Sequence, residues 1–279
     1  MMKHANPVTV DERFELVALV FRLANRSYYN DEKTEYQKEL ASVFATHKDH
    51  PAVAFACTCS LHFDIIFSYA CHLIKQKGVF ALIDNLSELT REERGHWTHK
   101  TAEEFLPLLN DFYRDTNFSE FFQAHTAFYE KSAAQFAKKY YSKIDLEWFR
   151  PHIDPVKLHC VLGLSSCGYG ALANGEAYVA VSEKLAAKHP DLILLVYCLP
   201  FAWPLANEWY AQNPDFKKLC DWDIVKGASV KIMARNYVAY AYVILYEVQH
   251  GGKLNKLLRK YEKQVLSQIK QVYEMIASP

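Results

Sequence analysis

Residues 156–182 constrain this chain most, because there the residue pattern changes period between two long helical stretches. Four of the nine glycines fall in that window, at 163, 168, 170 and 175. Ala177, Val179 and Val181 alternate with Tyr178, Ala180 and Ser182, which is the two-residue repeat of a strand. Asn174-Gly175 is a strong hairpin turn, since both residues tolerate positive φ. A small, largely antiparallel sheet is expected here.

On either side the repeat is helical. Thr9-Val10-Asp11-Glu12 has the form of a capping box, and Phe14, Val17, Phe21 and Ala24 follow at helical spacing. Thr101-Ala102-Glu103-Glu104 opens a second helix in the same way, with Phe105, Leu108, Leu109 and Phe112 as its buried stripe. Phe118, Phe121, Phe122 and Phe128 predict a third, aromatic-rich helix, its stripe in the core. After residue 190, Tyr237–Tyr246 is almost continuously apolar and reads as a central helix closed by Gly251-Gly252. Leu254, Leu257, Leu258, Tyr261, Val265, Ile269, Val272 and Ile276 stripe a final amphipathic helix. With no low-complexity linker and no repeat, one domain is expected over 1–279: helical over about 9–150, sheet over about 156–182, helices over about 190–276. The fold class is α+β and mostly helical.

Composition narrows the partners. The 279 residues carry 32 basic and 32 acidic side chains. Nucleic-acid binders usually carry a basic excess that neutralises phosphates, so no nucleic-acid partner is expected. The longest apolar run, Leu192–Ala206, is interrupted by Pro200 and Pro204 and falls short of the roughly 20 residues of a membrane span. The first residues lack the apolar stretch of a signal peptide. A soluble, cytoplasmic protein without a membrane partner is the expectation. Cysteines stand at 57, 59, 71, 160, 167, 198 and 220, an odd number in mostly apolar surroundings, which suits free buried thiols.

Further segments support a family resemblance. They are Val10-Asp11-Glu12-Arg13-Phe14-Glu15-Leu16 with Phe21-Arg22-Leu23, His47-Lys48-Asp49-His50-Pro51-Ala52-Val53, Leu109-Asn110-Asp111-Phe112-Tyr113 with Phe118 and Phe121-Phe122, Trp148-Phe149, and Tyr169-Gly170. As a set they resemble a bacterial domain-of-unknown-function family of predicted zincin-like metallopeptidases. That resemblance implies a zincin-like fold and a zinc site of the form H-E-x-x-H-x-F-x-N-P-L. Two histidines four apart share one helix face and hold the metal, and the glutamate between activates water. The corresponding stretch here is Leu195-Val196-Tyr197-Cys198-Leu199-Pro200-Phe201-Ala202-Trp203-Pro204-Leu205. Phe201, Pro204 and Leu205 fit, but Leu195, Val196 and Leu199 stand where the ligands and base belong, and none of these can bind metal or move a proton. The position of a third ligand corresponds to Lys231. No histidine in the chain is followed by glutamate.

Other clusters read as structure. Cys57-x-Cys59-x-x-His62 lies in an apolar stretch and suits core packing. His96-x-x-His99, beside Arg91, Glu92, Glu93 and Arg94, suits a solvated face. Cys198 and Cys167 could act as nucleophiles with a histidine base, but their settings favour inert thiols. The expectation is a pseudoenzyme without catalytic residues, metal or cofactor, which binds a peptide or protein through the former active-site cleft, where an edge strand can pair with an extended peptide. A hydrolase with relocated Cys/His chemistry and an assembly protein are the alternatives.

Overall fold

The computed structural model describes residues 6–26, 29, 34–83, 86–92, 94–149, 157–165, 170–188, 202, 205–209, 211–213, 230–258 and 263–277. They form an α+β, mostly helical structure. The contacts gather in two compact units. One spans 1–144 and 156–193, the other 145–155 and 194–279.

The first unit is built around α1 (Glu12–Leu23). Its N-cap is Asp11, whose side chain accepts from the Arg13 N–H, so the expected box from Thr9 does not form. Thr9 instead bridges in parallel to Val161, its N–H donating to the Cys160 carbonyl and its carbonyl accepting from Leu162. The helix is not amphipathic. Residues 14–22 are all buried, including Glu15 and Arg22. Helices α2 (Glu35–Val43), α3 (Pro51–Thr58) and α4 (Phe63–Cys71) follow. His50 caps α3, its Nδ1 accepting from the Ala52 N–H, and its ring meets Phe112 edge-on at 5.1 Å.

A hairpin then interrupts the stretch expected to be helical throughout. Strands β1 (Leu73–Gln76) and β2 (Val79–Leu82) pair antiparallel around Lys77-Gly78, whose φ angles of 50° and 85° suit a tight primed turn. Both outer edges are occupied by side chains. Asn110 of α5 (His99–Asp115) accepts from the Phe80 N–H and donates to the Phe80 carbonyl, both at 2.8 Å. Arg13 donates to the Leu73 carbonyl at 2.8 Å. A lone hairpin is marginal, and unpaired edges invite pairing with other chains. Asn110→Ala is therefore expected to cost about 1–3 kcal/mol by stranding Phe80. Thermal melts should record that loss, and sedimentation should show new self-association.

Helix α5 starts three residues earlier than predicted. Thr98 is its N-cap and forms the box with Thr101. Of the predicted stripe, Phe105, Leu109 and Phe112 are buried and Leu108 is half-buried. Two short-linked helices replace the expected third, α6 (Phe118–Ala124) and α7 (Thr126–Lys139).

Strands β3 (Leu158–Leu162), β4 (Gly170–Ala173) and β5 (Glu176–Val181) form one sheet in the order β3-β5-β4. The β4–β5 hairpin is antiparallel and turns at Asn174-Gly175, with φ of 52° and 73°, as expected. The β3–β5 pairing is parallel. Apolar residues cover both faces there: Ala177, Val179 and Val181 are buried, and so are Tyr178 and Ala180. That two-faced burial is the mark of a parallel pair. Helix α8 (Glu183–Lys188) follows β5 directly.

The second unit contains α9 (Val230–Gln249), α10 (Leu254–Leu258) and α11 (Lys263–Ala277). Tyr237, Val238, Ala241, Val243 and Ile244 are buried, as the apolar run predicts. Helix α9 ends in a Schellman motif: Gly252 N–H donates to Glu247, Gly251 N–H to Val248, and Gly251 has φ of 89°. Residues 145–149 are tied to its last turns. The Asp145 N–H donates to the Tyr246 hydroxyl at 2.7 Å, and Trp148 Nε1 to Gln249 at 2.6 Å. Ile269 and Val272 bury one face of α11.

Candidate functional site

The first unit holds an open cleft of about 700 Å³ at the C-terminal ends of the parallel strands. Its floor is Leu162-Gly163-Leu164, where β3 ends. One wall is α7, which presents Phe128, Ser132 and Gln135 at helical spacing, and another is α8 through Glu183, Lys184 and Ala187. The start of α2, Thr34 to Tyr36, closes the third side. Clefts at strand C-termini are common ligand sites, because several loops and helix starts converge there. Phe128 was expected in the core with the other aromatic residues, yet it is 41% exposed on the wall of this cleft. The 118–128 aromatic series spans two helices with a break at His125, and the break turns Phe128 off the buried line.

Beneath the wall lies a buried polar network. Glu15 of α1 is 1% exposed. Its Oε1 accepts the Leu164 N–H at 2.9 Å and the Ser165 N–H at 3.4 Å, and its Oε2 lies 3.1 Å from the Tyr36 hydroxyl. Tyr36 and Tyr129 share a hydrogen bond of 2.9 Å. Gln37 donates to the Leu164 carbonyl, and Arg22 to that of Ser165. Burial pushes the Glu15 carboxyl above its ordinary range, against the donors from Ser165, Leu164 and Tyr36. Burial also pushes both phenols up, helped by the Glu15 charge. Tyr129 in turn lines a second, more apolar cleft of about 650 Å³ between residues 6–10 and α7.

No protein-family model, curated protein or solved structure matches this chain.

The described parts of the resembling segments have structural work. Asp11, His50 and Asn110 serve as caps or edge partners, as above, and Glu15 ties α1 to the end of β3. Tyr113 donates to Glu12 at 2.7 Å, and Lys75 reaches both, at 2.6 Å from Tyr113 and 2.8 Å from Glu12. Leu195, Val196, Cys198, Leu199 and Pro200 lie outside the described residues, as do Cys167 and Cys220. Lys231 falls in the first turn of α9, and its side chain is outside the described part.

The core reading of Cys57-x-Cys59-x-x-His62 holds only in part: Cys59 is half-buried and packs against the core, but Cys57 is exposed, because α3 turns Ala52, Val53 and Ala56 inward. The expected solvated face around His96 is present at Arg91, Glu92, Arg94 and His99, which are exposed, while His96 is half-buried and Trp97 beside it is fully buried. Among the described residues no three His, Cys, Asp or Glu side chains gather to hold a metal ion, and no helix is long and apolar enough to cross a membrane.

Proposed function

We propose that this chain is a non-catalytic relative of zincin-type metallopeptidases that binds a peptide or protein segment in the cleft at the end of β3. The observation that carries the reading is Phe128, a large apolar ring exposed on the wall of a cleft whose floor is Leu162 and Leu164. Polar groups rim it at Thr34, Glu35, Ser132, Gln135, Glu183 and Lys184. An apolar anchor with a polar rim is how peptide-recognition surfaces divide affinity and orientation. The loss of histidine and glutamate at Leu195, Val196 and Leu199 supports binding without cleavage. Helix α8 ends at Lys188, a short way before that segment in the chain.

A displayed peptide library selected on the full chain tests this. Enriched peptides are expected to share an aromatic or aliphatic anchor. Phe128→Ala should weaken them by ten-fold or more, about 1.4 kcal/mol, without moving the melting temperature. The selected peptides should stay intact on long incubation, and protein purified without a metal-binding tag should hold well under one zinc per chain. Cleaved peptides with stoichiometric zinc would overturn the non-catalytic reading. Unchanged affinity in Phe128→Ala would remove the cleft as the site.

A further inference from the structure

We propose that Glu15, Tyr36 and Tyr129 form a one-proton switch, in which uptake of a proton by Glu15 reverses the direction of hydrogen bonding along both phenols. The proposal is independent of what the cleft binds.

The geometry leaves few arrangements. Glu15 Oε1 already takes two backbone N–H groups, from Leu164 and Ser165, so a proton on the carboxyl belongs on Oε2. Oε2 faces the Tyr36 hydroxyl at 3.1 Å, and Tyr36 faces the Tyr129 hydroxyl at 2.9 Å. A phenol has one proton to donate, together with lone pairs that accept. With Glu15 ionised, Tyr36 must give its proton to Oε2, and it then accepts from Tyr129. With Glu15 protonated, the proton on Oε2 points at Tyr36, which becomes the acceptor and donates to Tyr129. Tyr129 must then turn its own proton away from Tyr36. The proton comes from water and no other bond is made or broken.

The switch spans three helices, because Glu15 is on α1, Tyr36 on α2 and Tyr129 on α7. Tyr36 lines the larger cleft and Tyr129 the second one, so the donor–acceptor pattern beside both changes together. Burial supports a carboxyl that keeps its proton above the ordinary value of 4.5, and phenols that keep theirs above the ordinary value of 10. Other ionisable groups surround the trio. His125 packs against both phenol rings and pairs with Glu39 at 3.3 Å. Glu12, one turn before Glu15, pairs with Lys75, and Arg22 donates to the Ser165 carbonyl. The free energy has a definite sign. The folded chain holds this proton more tightly than the unfolded chain, so the contribution of Glu15 to stability is greatest at low pH. It falls as pH rises from 4.5 through the folded midpoint, and is level above it.

Infrared and ultraviolet Raman titration of the full chain tests the switch. A carboxylic-acid C=O band of one group per chain should persist above pH 4.5, beyond the titration of the ordinary carboxyls. The tyrosine Raman doublet, which reports whether a phenol donates or accepts, should change with the same midpoint. Glu15→Gln should lack the band and the doublet change, and the loss of stability with rising pH that Glu15 contributes should be absent from it. His125→Asn should keep both signals, separating Glu15 from a histidine titration. Tyr36→Phe should keep the carboxyl band but lose the doublet change. The wild-type coincidence of the two midpoints is informative even if a variant does not fold. No protonated carboxyl above pH 4.5, or a band that titrates while the doublet stays fixed, would overturn the proposal.

Discussion

Trp97→Ala is expected to bring the 1–144/156–193 unit to the edge of unfolding. Trp97 is fully buried at the centre of an aromatic cluster. Its ring lies 4.6 Å from Tyr69 and 5.5 Å from Phe105, and it stacks on Phe55 at 6.4 Å. Its Nε1 donates to the Ile65 carbonyl at 3.1 Å. Truncating a buried tryptophan costs about 3–5 kcal/mol in lost transfer energy and cavity. Leaving the Ile65 carbonyl without this donor adds about 1 kcal/mol. Against a typical stability of 5–15 kcal/mol, that leaves little. Trp97→Phe keeps most of the ring contact and loses the hydrogen bond, so its cost should be about 1–2 kcal/mol. Urea unfolding followed by circular dichroism separates the two. An alanine variant within 1 kcal/mol of the parent would mean the cluster is not a core.

Glu15→Leu should be nearly as damaging, for a different reason. The leucine fits the apolar surroundings of α1 but accepts nothing. The N–H groups of Leu164 and Ser165 and the Tyr36 hydroxyl would lose their acceptor in a buried site. At about 1–3 kcal/mol for each stranded group, the loss is roughly 3 kcal/mol or more. Glu15→Gln is the contrast. Its Oε1 can accept both N–H groups, and its amide can donate to Tyr36, which then donates to Tyr129. Most of the stability should remain. Equal losses in the two variants, measured by the same unfolding assay, would show that hydrogen bonding at Glu15 does not hold α1 to the end of β3.

The strands at 176–181 and the turn at Asn174-Gly175 were readable because glycine placement and alternation are local signals. The parallel partner of β5 was not, since pairing direction depends on which distant segments cover both faces. The β1–β2 hairpin was hidden for a similar reason. Lys77-Gly78 is a modest turn signal, and the hairpin rests on Asn110 and Arg13, which are remote in sequence. Thr9 illustrates competition between local and distant bonds. Its spacing to Glu12 is that of a capping box, yet its backbone joins β3 and Asp11 takes the cap.

The candidate site was less readable than the fold. Glu15 sits in a helix whose periodicity marked only Phe14, Val17, Phe21 and Ala24, so nothing singled out the charged residue beside Phe14. Nothing local reveals that residues 164 and 165 bring two N–H groups to it. Phe128 looked like the end of a buried stripe, and only the break at His125 moves it to the cleft. Trp97, between charged residues and histidines, was not singled out by any local pattern, yet its ring is fully buried.

That α1 is enclosed on every side bears on how the chain is made. The helix leaves the ribosome before its cover, which comes from parts synthesised much later. Arg13 waits for Leu73, Glu15 for Leu164, and Phe14 for Tyr178. At about 5–20 residues per second, the last of these partners follows by roughly 8–35 seconds. Through that interval an apolar segment from Phe14 to Leu23 has no complete partner surface, and it is the natural place for a holding chaperone to bind the nascent chain.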